Sequence, residues 1–195
     1  MKKSVDYSKY ENTELETKLQ QCIGEYIYTF ENILESIRFF ISCVMKRNGL
    51  KKNKLVEIIL FDSMAGSLLN YYKGLVFEVC SEEMKKPQVK SFMNKLWNDI
   101  SKSIEKRNNV AHANWSITFQ GEELTTNVLA TKNKMLKDGL ANVYQSFEKS
   151  NMDSIKADSA KNKEISNLIS KITFNYYHKT PLIEEVNKQR IIKLN

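Results

Sequence analysis

At 195 residues, with 42% hydrophobic and 27% charged side chains, the chain has the composition of an ordinary globular protein and is too apolar for a disordered one. No apolar run approaches a membrane span, and the start Met1-Lys2-Lys3-Ser4-Val5-Asp6-Tyr7 lacks the apolar stretch of a secretory signal, so a cytoplasmic protein with no membrane partner is expected. The formal charge of +7 favours an acidic partner, nucleic acid first, although scattered lysines also describe a merely solvated surface.

The apolar positions Leu15, Leu19, Cys22, Ile23, Tyr26, Phe30, Ile33, Ile37, Phe40 and Val44 recur at steps of three and four, the pattern of a long amphipathic helix ending at Asn48-Gly49. A second series, Leu55, Ile58, Ile59, Leu68, Leu69, Tyr72, Leu75, Val76 and Val79, predicts one helix from about Asn53 to Cys80, with Gly66 inside it. The short link between the two makes them antiparallel neighbours. Cys22, Cys43 and Cys80 are odd in number, widely spaced and set in these apolar patterns, which fits core residues better than disulfides or a Cys-x-x-Cys metal site.

Pro87 suits the first turn of a third helix with the stripe Val89, Phe92, Met93, Leu96, Ile100 and Ile104. Arg107 is the next member of that stripe. Because an unpaired buried charge is costly, it must lie at the edge of the core or line a polar groove. Alternation in Trp115–Phe119 and Leu124–Leu129, around the turn Gln120-Gly121-Glu122-Glu123, suggests a short β-hairpin. Ile165, Leu168, Ile169, Ile172 and Tyr176 then mark a fourth helix with Pro181 beyond its exit. The expectation is one all-α domain over 1–195. It comprises four long antiparallel helices at about 14–47, 53–80, 87–110 and 155–178, an insertion at about 115–150, and no second core.

The residues that carry chemistry lie in Lys106-Arg107-Asn108-Asn109-Val110-Ala111-His112-Ala113-Asn114-Trp115. Arginine holds its charge at any working pH and forks onto phosphate, while imidazole exchanges a proton near neutrality. RNA brings its own nucleophile, the 2′-hydroxyl, so cleavage needs only deprotonation and stabilisation of developing charge. His112 is the candidate general base or acid, Arg107 the phosphate ligand and Asn108 an orienting group. No His, Cys or Asp cluster has metal-ligand spacing, so neither a metal nor a cofactor is expected.

An all-helical chain with Arg-Asn-x-x-x-His at the end of its third long helix resembles the HEPN superfamily of ribonucleases. The phrase Arg107-Asn108-Asn109-Val110-Ala111-His112-Ala113-Asn114-Trp115 is similar to its abortive-infection and toxin branches. The resemblance implies a HEPN-like bundle and metal-independent RNA cleavage leaving a 2′,3′-cyclic phosphate and a 5′-hydroxyl. It also implies a role in phage defence and restraint by an RNA or protein inhibitor or antitoxin. Many members have Gly where this chain has Ala113. Toxins silenced by adenylylation carry Tyr where it has Asn114, so a tyrosine-modifying antitoxin does not fit.

Residues five apart on an ideal helix are rotated by roughly 140°, so Arg107 and His112 do not share a helical face. They border one groove if the helix loosens near Asn109, or if a second copy completes the site. HEPN ribonucleases resemble the second arrangement, which implies a homodimer with a composite cleft. Lys106, Asn109 and Trp115 are candidate RNA contacts, with a packing role the competing reading for Trp115. Tyr26, Tyr28, Tyr71 and Tyr72 fit core positions, and His178 fits a helix C-terminal cap. The alternative function is a non-catalytic HEPN-like module that binds RNA, a nucleotide or a protein through the same groove.

Overall fold

The three- and four-residue apolar spacing of the first segment produces one uninterrupted helix, α1 (Glu14–Arg47), in the computed structural model. The structure describes residues 14–50, 53–111, 113–120, 123–134, 144–182, 184 and 186–187. Glu14 and Glu16 lie in the first turn of α1 and Lys46 and Arg47 in its last, each complementing the helix dipole. Gly49, at φ 97°, then ends the helix. Its N–H donates to the Lys46 carbonyl at 3.2 Å, while Leu50 N–H reaches the Met45 carbonyl at 3.1 Å.

The second predicted helix is broken in two, α2 (Asn53–Phe61) and α3 (Ala65–Val79), and the short α4 (Ser81–Met84) follows. The break falls at Asp62-Ser63-Met64, where Ser63 Oγ donates back to the Ile59 carbonyl at 2.8 Å, a local bond that competes with helix continuation. The inward positions also differ from those expected. Val56 and Leu60 are buried, whereas Ile58 and Ile59 are 67% and 57% exposed. In the run Leu-Val-Glu-Ile-Ile-Leu-Phe several helical stripes are apolar at once, so period alone does not choose among them.

Pro87 opens α5 (Pro87–Ala111), and the expected stripe Val89, Met93, Leu96 and Ile100 is buried, joined by Trp97. In the insertion, β1 (Asn114–Gln120), β2 (Glu123–Lys134) and β3 (Tyr144–Asn151) form an antiparallel sheet in the order β1-β2-β3. Asn114 pairs with Thr131, Gln120 with Glu123, and Lys134 with Tyr144, and the register shifts between Ile117 and Phe119. Sequence alternation points to two strands only. The expected turn residues Gly121 and Glu122 lie outside the described residues.

Asn151 ends β3 and caps α6 (Met152–His178), its Oδ1 accepting the Asp153 N–H at 2.8 Å. At the other end, His178 stands in the last turn of α6, the C-terminal position expected of it, while other groups meet the terminal carbonyls. Lys179 turns left-handed at φ 57°, Thr180 N–H donates to the Asn175 carbonyl at 2.8 Å, and the Arg47 guanidinium donates to the Tyr176 carbonyl. The His178 ring packs on Phe174 at 4.1 Å instead.

The chain is predominantly helical, and it divides into two compact units. The first takes Met1–Ile27 and Asn108–Ser159, the second Tyr28–Arg107 and Ala160–Asn195. Each has its own apolar cluster. In the first, Leu19, Cys22, Tyr26, Val110, Met152 and Ile155 are buried together. In the second, α1 from Phe30 onward meets residues of α2, α3, α4, α5 and α6. Because α1, α5 and α6 each supply both clusters, one continuous stripe per helix hides the second core from sequence.

A polar link lies inside the second unit. Ser103 Oγ donates to Asn162 Oδ1 at 2.9 Å, and Asn162 Nδ2 donates to Thr29 Oγ1 at 3.5 Å, with all three side chains buried. Replacing Asn162 by alanine removes an acceptor from one and a donor from the other, and is expected to lower unfolding free energy by about 1–3 kcal/mol in urea titrations. The three cysteines are free thiols, Cys22 and Cys80 buried, and burial pushes the Cys80 thiol up to about 11.

Candidate functional site

Residues Lys106 to Ala111 continue α5 without a loosened turn at Asn109. His112 lies outside the described residues. Ala113 is half-buried, and β1 begins at Asn114, three positions after the end of α5.

Arg107 occupies the stripe position anticipated for it, at the edge of the second unit's core. Its side chain is 35% exposed. The guanidinium carbon sits 5.9 Å from the centroid of the Phe30 ring, which is fully buried. Nη2 lies 3.7 Å from Glu31 Oε1, on a side chain 42% exposed. Both holds are weak. A half-exposed ion pair at this distance contributes about 0–1 kcal/mol, and a cation over a ring about 0.5–1 kcal/mol. Arg107 Nε is buried with no hydrogen-bond partner among the described residues.

The guanidinium therefore rests weakly on a ring and a carboxylate, and its Nε has no partner among the described residues. That combination suits an arginine that exchanges one anion for another, because a phosphate oxygen accepting from the fork gains more than the 3.7 Å contact it displaces. Glu31 was not anticipated. It follows Phe30, a stripe residue, but its approach to a residue on α5 is a tertiary contact that neither local sequence encodes.

Asn108 is exposed on the last turn of α5, while Lys106 and Asn109 are half-buried. The contact pattern assigns Arg107 to the second unit and Asn108, Asn109 and Trp115 to the first. Trp115 is half-buried against the first unit's cluster, and its indole N–H donates to the Val110 carbonyl at 3.0 Å. Val110 is one of the last four helical residues, whose carbonyls lack an intrahelical donor, so the indole caps the end of α5 that carries the motif. With its one donor used in this way, packing accounts for the contacts of Trp115.

Among the described residues no group of three His, Cys, Asp or Glu is placed to hold a metal ion, and no helix is long and apolar enough to cross a membrane. Comparison of the chain with protein-family models, curated proteins and solved structures finds no match.

Proposed function

We propose that the protein is a metal-independent endoribonuclease with a HEPN-like antiparallel bundle whose four helices are α1, α2 with α3, α5 and α6. The observation that carries the reading is the Arg107-Asn108-x-x-x-His112 motif, with Arg107 on a hydrophobic ring, loosely paired and its Nε without a partner among the described residues. In the proposed reaction His112 takes the 2′-hydroxyl proton and the oxygen attacks the adjacent phosphorus. Arg107 holds the phosphoryl oxygens as charge builds, the 5′-oxygen leaves with a proton given by the protonated His112 of the partner subunit acting as acid, and a 2′,3′-cyclic phosphate remains. Asn108, exposed beside Arg107, orients the phosphate.

Helical continuity through Ala111 favours supply of the second half of the site by another copy, so the active form is a homodimer with a composite cleft. A chain that cuts RNA in its own cell needs restraint by an RNA or protein partner, and phage defence is the setting that fits. The experiment is expression of wild type and Arg107→Ala in bacterial cells with RNA ends mapped across the transcriptome. Toxicity and new site-specific ends only in wild type are expected; equal patterns in both would refute the assignment of Arg107. The ion pair with Glu31 favours one second reading, a non-catalytic module in which Arg107 binds RNA that stays uncut.

A further inference from the structure

Four large apolar side chains at high exposure fall in one short stretch. Ile58, Ile59, Phe61 and Met64 are 67%, 57%, 81% and 80% exposed, on α2 and the link that follows it. At roughly 150–200 Å² for a large side chain, these four present on the order of 500 Å² of apolar surface, at the upper end of what a monomer leaves bare. The orientation of α2 is defined, because Val56 and Leu60 are buried and Arg38 Nε donates to the Leu60 carbonyl at 3.3 Å. Ile58 is two positions from each buried residue, and on a helix that places it opposite both. The outward side of α2 is therefore set by the fold and not by fraying, and it carries Ile58, Ile59 and Phe61 between the exposed charges Lys54, Glu57 and Asp62.

We propose that this face pairs with the same face of a second copy, α2 against α2, antiparallel about a two-fold axis at Ile58. Two features select a second copy as the occupant. The first is area, since about 500 Å² of apolar centre makes up more than half of the roughly 800 Å² per partner that a stable interface buries. The second is charge. Lys54 and Asp62, both exposed, stand four residues on either side of Ile58. A two-fold axis there sets each Lys54 opposite the Asp62 of the partner subunit, twice over. A surface that is self-complementary in both respects is the signature of an isologous contact. The pairing names the contact that holds together the homodimer proposed above, and because it is read from α2 alone it survives in a protein whose Arg107 and His112 are both replaced, so association and RNA cleavage fail separately.

The test measures the mass of the full chain by light scattering over a concentration series, for wild type, Phe61→Glu, Lys54→Asp, Asp62→Lys and the double exchange. Wild type is expected to dimerise. Phe61→Glu should weaken dimerisation by about 30-fold or more, as for a central apolar anchor. Each single charge exchange sets two like-charged pairs face to face and should weaken it roughly 3- to 10-fold, and the double exchange should return it to near wild type. The charge exchanges alter no apolar residue, so they decide the matter even where Phe61→Glu reduces helicity by circular dichroism. Unchanged association in Phe61→Glu, or a double exchange no tighter than the singles, overturns the pairing. So does a monomeric wild type, whether α2 stays bare or is covered by another segment or a different protein.

Discussion

Replacing His112 by alanine is expected to lower the rate of RNA cleavage by about 10²–10⁴-fold, the usual contribution of a positioned general acid or base. Binding should change little, because affinity for the polyanion comes from cations that the substitution leaves in place. Arg107→Ala differs in kind. Loss of a charge-stabilising donor costs about 10²–10³-fold in turnover and also removes a phosphate contact, so the salt dependence of binding should fall with it. The two variants together test the composite cleft. Each chain of a mixed dimer supplies what the other lacks, one Arg107 and one His112, so mixing two inactive proteins should restore part of the activity. A mixture as inactive as its components would place the working pair within one chain. Single-turnover cleavage of a labelled RNA, with binding read separately by anisotropy, separates these effects.

The largest stability effect should come from Phe40→Ala. Phe40 is fully buried on α1, meets Tyr72 edge-on with ring centroids 5.0 Å apart, and packs against Tyr176 at 5.9 Å. Truncation removes the burial of a large ring, leaves a cavity lined by two other aromatics and forfeits their ring contacts, for a loss of about 3–5 kcal/mol. Domains of this size hold only about 5–15 kcal/mol, so the second unit should be close to unfolding at moderate temperature. Phe40→Leu conserves most of the volume and should cost less than about 1.5 kcal/mol. Urea unfolding followed by far-ultraviolet circular dichroism reads both. A Phe40→Ala protein as stable as wild type would mean that α1 packs differently from the arrangement described.

Much of the helical framework is legible in sequence because a stripe repeating every three or four residues has one interpretation when its flanks are polar. That holds for α1, for α5 and for the Ile165, Ile169 and Ile172 face of α6. It fails for α2, where nearly every residue is apolar and the bond from Ser63 Oγ to the Ile59 carbonyl ends the helix early. The start of α6 lies three residues before the expected one, for a different reason. Asn151 and Asp153 form an N-terminal signature, but the polar residues around them read as a loop when apolar period is the guide. Two strands show in the alternation of β1 and β2, whereas β3, Tyr-Gln-Ser-Phe-Glu-Lys-Ser-Asn, carries a strand pattern too polar to separate from a loop.

At the candidate site, Arg107 is legible as a charge on an apolar stripe, and it takes the core-edge position that such a charge requires. Its partners are not. Phe30 reads as one core residue among many and Glu31 as a solvated charge until the fold brings α1 beside α5. Trp115 could be read as an RNA contact or a packing anchor, and its bond to the Val110 carbonyl is a tertiary detail that sequence does not encode. Ile58 and Ile59 reverse the usual lesson: sequence assigns them to the core, and their exposure makes them informative about association.

The most direct test is the chemistry of the RNA ends left by purified wild-type protein in excess EDTA. Cleavage leaving a 2′,3′-cyclic phosphate on one fragment and a 5′-hydroxyl on the other, and absent from His112→Ala, is the expected result. Products with 5′-phosphates, cutting that appears only on adding a divalent cation, or undiminished cutting by His112→Ala would contradict 2′-hydroxyl attack governed by Arg107 and His112.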